Sequence, residues 1–99
     1  MKHTLKGDTL TVWLEGELDH HTARQTKEML TSLLEHGKVK RLVLDMKQLS
    51  FMDSSGIAFI LRAQQRMQMM DGSLLVCHVP AQAKRVLDAA GISRLVTIR

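Results

Sequence analysis

Two short stretches of this 99-residue sequence carry residue types that could do chemistry. The first is Ser50-Phe51-Met52-Asp53-Ser54-Ser55-Gly56-Ile57. It lies between an apolar run and a helical pattern, so one of its serine hydroxyls stands at a helix start. A phosphate placed there would meet the positive end of the helix dipole and unpaired backbone N–H groups. The same residues also read as a plain cap, because Asp53, Ser54 or Ser55 can accept from those N–H groups. A Gly-x-Ser-x-Gly nucleophile elbow is excluded. Met52 stands where Ser54 would need glycine, and Asp53 and Ile57 stand where Ser55 would. There is no Gly-x-x-x-x-Gly-Lys phosphate loop either. The expectation is a capping or modifiable serine, with no catalytic residue and no enzyme.

The second stretch is Gly16-Glu17-Leu18-Asp19-His20-His21-Thr22-Ala23. Two histidines beside two carboxylates suggest a metal. Adjacent residues on a helix start point about 100° apart, however, so His20 and His21 do not converge as i,i+4 ligands would. The single Cys excludes an internal disulfide framework and a cysteine zinc site. Cys77, in an apolar run, reads as a small buried hydrophobe, and Trp13 as a packing residue. No metal and no cofactor is expected. Asp19 reads as a helix N-cap.

The elements that must position these residues follow from periodicity. Residues 3–6 and 9–15 read as two strands joined by Gly7-Asp8, with Leu10, Val12 and Leu14 alternating and Gly16 as the stop. A helix runs from the Asp19 cap through Ala23, Met29, Leu30, Leu33 and Leu34 to Gly37. Leu42-Val43-Leu44 and Leu74-Leu75-Val76-Cys77 read as strands covered on both faces. Asp45 to Asp53 is expected as a loop. A helix follows from Ser54 to Met70, closed by Asp71-Gly72. Its core stripe is Phe59, Ile60, Ala63, Met67 and Met70. Ile57 and Leu61 fall at the edge of that stripe, either as core or as a small apolar patch beside Ser54. Pro80 opens a third helix in its first turn, Val86, Leu87 and Ala90 give it an apolar stripe, Gly91 ends it, and Leu95–Ile98 is a last strand. The order β-β-α-β-α-β-α-β implies one α/β domain over residues 1–99, with a mixed, largely parallel sheet.

Composition agrees with one globular domain. Fourteen basic and ten acidic residues leave a net charge of +4, and 44% of residues are hydrophobic, which excludes wholesale disorder. The basic residues fall in separated groups and only three aromatics are present (Trp13, Phe51, Phe59), so no base-stacking surface and no direct nucleic-acid binding is expected. No apolar run approaches the roughly 20 residues of a membrane helix. The start of the sequence lacks the apolar core of a signal peptide. A cytoplasmic protein without membrane contact is expected.

Taken together, Gly16-Glu17-Leu18-Asp19 and Ser50-Phe51-Met52-Asp53-Ser54-Ser55-Gly56, in this order, resemble the bacterial anti-sigma factor antagonists. These are single STAS domains, and the resemblance is above all to the sporulation type, SpoIIAA. It extends through Val76-Cys77 and Ala83–Asp88 to Gly91-Ile92. It implies a transcription regulator that binds an anti-sigma factor serine kinase and so frees a sigma factor. It implies Ser54 as the phosphoacceptor and a PP2C-type phosphatase that restores the antagonist. Asp53 and Ser55 flank the acceptor, and Gly56 gives the kinase room to approach. It implies Asp19 as the partner-contacting carboxylate, and the helix pattern, apart from the resemblance, adds Ile57 and Leu61 as an apolar patch a partner would cover. A different function class, a nucleotide- or small-ligand-responsive STAS module of another signalling assembly, is the alternative. The chain is basic where many such relatives are acidic.

Overall fold

A computed structural model describes residues 1–35 and 38–99. Along the chain run β1 (Lys2–Lys6), β2 (Thr9–Leu18), α1 (His20–Glu35), β3 (Arg41–Met52), α2 (Ser54–Met69), β4 (Ser73–Cys77), α3 (Ala81–Ala89), a 3₁₀ turn (Ile92–Arg94) and β5 (Thr97–Ile98). The strands form one sheet in the order β1-β2-β3-β4-β5. The β1–β2 hairpin is antiparallel and the other three pairs are parallel. Each parallel pair is joined through a helix, since a crossover needs a dozen or more residues.

The register shows where the core lies. Leu10 pairs with Leu42 and Leu42 with Leu74; Val12 pairs with Leu44 and Leu44 with Val76. Paired side chains share a face, and all six are buried. Helix α2 packs against both α1 and α3, so the helices form one layer. Leu30, Leu34, Phe59, Ile60, Ala63, Met67, Ala83 and Leu87 bring that layer into the same core. The opposite face of the sheet is partly open, because Thr11, Trp13, Val43, Leu75 and Cys77 are only half-buried. Strands covered on both faces were expected; instead one face is covered, and the runs looked continuous because Val43 and Leu75 are apolar on the open side.

The segment 45–53 is strand, not loop, as far as Met52. Its buried residues Met46, Leu49 and Met52 are spaced by three, which hides the alternation of a strand. The cause lies in β2, where the register with β3 slips between Trp13 and Glu15 and again between Gly16 and Glu17. Gly16 sits there at φ +73, a conformation that only glycine adopts freely. It absorbs the irregularity and lets β2 continue to Leu18 instead of ending it. The last strand is shorter than its apolar run. Val96 N–H is held by the Ile92 carbonyl and Leu95 is exposed, so the 3₁₀ turn uses the first half of that run. Pro80 is the N-cap of α3, one residue before the first turn, and Gly91 at φ +68 follows the α3 C-cap. Of the expected apolar stripes, Met29 in α1 and Ala90, the C-cap of α3, are exposed instead of buried; the expected stop of α1 at Gly37 lies outside the described residues.

Candidate functional site

Parallel pairing of β2 with β3 brings the two chemistry-bearing stretches together. Leu18 is the register partner of Met52, and Asp53 N–H donates to the Leu18 carbonyl at 3.3 Å. Both chains then leave the sheet and start a helix, α1 at His20 and α2 at Ser54. Two helix N-termini therefore stand side by side at one end of the sheet, each capped by an aspartate. Asp19 Oδ1 accepts from Thr22 N–H at 3.0 Å, and Asp19 N–H donates to the Thr22 hydroxyl oxygen at 2.9 Å, a reciprocal cap. These bonds from Thr22, backbone first, hold the Asp19 carboxyl below the ordinary carboxylate range. Asp53 Oδ1 accepts from Ser55 N–H at 2.8 Å.

With Asp53 as the cap, Ser54 is the first helical residue. It is exposed, makes none of the cap bonds and has no acidic neighbour within the first turn of α2. The cap thus falls on Asp53 and leaves Ser54 outside it. Ser55 is half-buried. Gly56 differs from expectation. It is buried, and a Cβ there would collide with Met52 Cγ and come within 3.1 Å of Leu18 Cδ2. It therefore faces β2 and β3 and lets α2 sit close to the strand ends. Ile57 and Leu61 are half-buried against the core, so each contributes to packing and keeps part of its surface.

Three features of this end were missed in the sequence. Gln82, on α3, pairs twice with the backbone of Met52. Its Oε1 accepts from Met52 N–H at 2.8 Å, and its Nε2 donates to the Met52 carbonyl at 2.9 Å. The side chain replaces a neighbouring strand where β4 has already ended. Phe51, an aromatic exposed at the strand end, lies two residues before the cap. Finally, a groove of about 300 Å³ between α1 and α2 is lined by His20, Arg24, Lys27, Ser55 and Arg62 among others. A second hollow continues along the helices to Arg66. Among the described residues, no Asp or Glu lines either. Arg24 makes a loose, exposed ion pair with Glu28 at 3.9 Å, while Lys27, Arg62 and Arg66 make none among the described residues. The basic groups that look scattered in sequence are joined across the two helices.

His20 and His21 do not form a metal cluster with other described residues; Asp45, Cys77 and His78 are the one such cluster among them. Asp45 Oδ2 lies 2.9 Å from His78 Nδ1, and Oδ1 accepts from Lys47 N–H at 3.0 Å. Burial raises the Asp45 carboxyl, but the Lys47 N–H and His78 outweigh it and leave it below the ordinary range. Burial, and then the Asp45 charge and hydrogen bond, push the Cys77 thiol up. An activated cysteine nucleophile shows the opposite shift.

The sequence profile of the STAS domain family matches residues 2–99. The anti-sigma F factor antagonist of Paenibacillus polymyxa is 35% identical over 89 residues, covering 90% of this chain and 76% of that protein. The solved structure of the anti-sigma factor antagonist SpoIIAA in its unphosphorylated form superposes with a TM-score of 0.85 at 23% identity, covering 99% of this chain and 86% of that one. The Bacillus cell fate determinant SpoIIAA in its phosphorylated form gives 0.76 at 23% identity, covering 99% and 89%.

Proposed function

The chain belongs to the STAS domain family, and we propose that within it the protein is an anti-sigma factor antagonist. It binds a kinase-type anti-sigma factor, frees a sigma factor, and is switched off by phosphorylation of Ser54. Asp19, Asp53, Ser54 and Ser55 form the centre of the binding surface, with the exposed parts of Ile57 and Leu61 beside them. Gly56 acts beneath that surface, by letting α2 approach the strands. A PP2C-type phosphatase reverses the modification. The protein acts by binding rather than catalysis, in the cytoplasm. No helix among the described residues is long and apolar enough to cross a membrane.

One observation carries this reading. The Leu18–Met52 pairing sets the two helix starts side by side, with the Ser54 hydroxyl exposed at the first position of α2. A kinase reaches such a hydroxyl without unfolding the domain. A phosphate adds about −1.5 to −2 charges. Within the domain the helix N-terminus offsets that charge. At a docked interface it sits beside Asp53 and Asp19, adds bulk and repels partner carboxylates. Phosphorylation therefore changes the binding surface and leaves the fold in place.

Incubation with a kinase-type anti-sigma factor and ATP, followed by peptide mass spectrometry, tests the assignment. The label is expected on Ser54 and absent from Ser54→Ala, which still binds. A label on Ser55, or on no serine, removes Ser54 from the mechanism. The cationic groove supports a second reading, a nucleotide-responsive STAS module. Nucleotide-induced NMR shifts at Ser55, Ala58 and Arg62, without binding to an anti-sigma factor, would favour it over the first.

A further inference from the structure

The open face of the sheet brings together three donor side chains that the proposed antagonist function does not use. Asp45 on β3 and Cys77 on β4 are register partners, so their side chains project from the same face. A fully extended residue 78 would point to the other face. His78 instead has φ +55, and its Nδ1 lies 2.9 Å from Asp45 Oδ2. One donor atom from each of the three residues lies within 4.8 Å of the others. In a tetrahedral zinc site, donor atoms at ordinary bond lengths stand about 3.3–3.6 Å apart. Small side-chain rotations therefore suffice to enclose an ion.

A single Cys was expected to exclude a cysteine zinc site, but the Asp45 carboxylate and the His78 imidazole stand where further sulfurs would be needed, and we propose that Asp45, Cys77 and His78 form a binding site for a single borderline divalent transition metal, zinc foremost. Three features favour that class. The donors are one sulfur, one nitrogen and one oxygen, a set that suits zinc and not the oxygen-seeking magnesium or calcium. Asp45 is the only charged residue in the buried set of the described residues, and its Oδ1 is already held by the Lys47 N–H. That bond orients the carboxylate from behind and leaves Oδ2 to bind, as outer partners do in metal sites. A thiolate, a carboxylate and a neutral imidazole also balance a divalent charge. The His78 side chain is 63% exposed, so the fourth position opens to water or to an incoming ligand. In this site the ion replaces the proton shared by His78 Nδ1 and Asp45 Oδ2, His78 binding as the neutral tautomer protonated at Nε2, and Cys77 binds as the thiolate with its proton passing to solvent.

Titration of the reduced full chain with Co²⁺ tests the site, because a thiolate bound to Co²⁺ gives a near-ultraviolet charge-transfer band. We expect the band to saturate at one equivalent and to be bleached by Zn²⁺. Cys77→Ser should abolish it. His78→Ala, at an exposed position that leaves the core intact, should weaken binding at least tenfold with an unchanged circular dichroism spectrum; Asp45→Asn should do the same. The chain's other histidines could bind Co²⁺ without a thiolate band. Band-free binding in the unmodified protein, or a band of equal affinity in His78→Ala, would overturn the proposal.

Discussion

At Ser54 an added negative charge should leave folding almost unchanged and oppose binding. Ser54 is the first residue of α2, exposed and next to the Asp53 cap. An aspartate there gains from the helix dipole and loses to its like-charged neighbour. Ser54→Asp should therefore change unfolding free energy by less than about 0.5 kcal/mol. The same change should weaken anti-sigma factor binding at least about tenfold, roughly 1.4 kcal/mol. Denaturant melts and isothermal titration of one preparation separate the two effects, and a parallel loss in both would mean that the variant is merely misfolded. Asp19 answers to pH. Its carboxyl is lowered in the fold by the Thr22 bonds, so the cap contributes stability above the unfolded value and loses it as pH falls through the lowered one. The stability gap between the unmodified chain and Asp19→Ala should be constant near neutrality and close in acid. A gap that widened in acid would contradict the cap. Asp19→Ala should also weaken partner binding; unchanged affinity would confine Asp19 to its helix.

At the scale of elements, the site depends on strand ends that the periodicity conceals. The core positions of β2, α2 and α3 are readable, because Leu10, Val12, Leu14, Phe59, Ile60, Ala63 and Leu87 follow clean periods of two or 3.6 and are buried. The second half of β3 is not readable. A register slip beside Gly16 turns an alternating strand into buried residues three apart, which resembles a loop. The Gln82 bridge is equally hidden, since no local pattern announces a side chain that closes a strand thirty residues away. The cap and the serine at the helix start were readable, because Asp-Ser-Ser-Gly carries the residue types that helix starts prefer. The inward role of Gly56 depends on Met52 and Leu18 beneath it, a tertiary fact. Gln82→Ala tests the concealed part. It leaves Met52 N–H and C=O without partners at a buried strand end, so unfolding free energy should fall by about 1–3 kcal/mol. Amide exchange should quicken at Met52 first. A variant as stable as the parent would mean that water replaces the bridge at no cost.

For the whole molecule, net charge matters less than where the charge is placed. An excess of +4 on 99 residues is modest, and sequence order scatters it. Folding gathers Arg24 and Lys27 from α1 with Arg62 and Arg66 from α2 along one groove that begins at His20 and Ser55, beside the two helix starts. The surface around Ser54 is thus two-signed: carboxylates at the caps, cations along the helices. A partner matched to it presents a basic contact to Asp19 and Asp53 and an acidic one to the groove. Opposed fields of this kind act mainly on the rate of encounter. Association with the anti-sigma factor should therefore slow as salt rises, with dissociation little changed. Arg62→Glu, on an exposed turn of α2, should lower the association rate about tenfold or more at low ionic strength and flatten its salt dependence, without moving the melting temperature by more than a few degrees. Stopped-flow measurements across a salt series make the comparison. If Arg62→Glu and its parent show the same salt slope, the groove takes no part in docking, and the partner reads only the two capped helix starts.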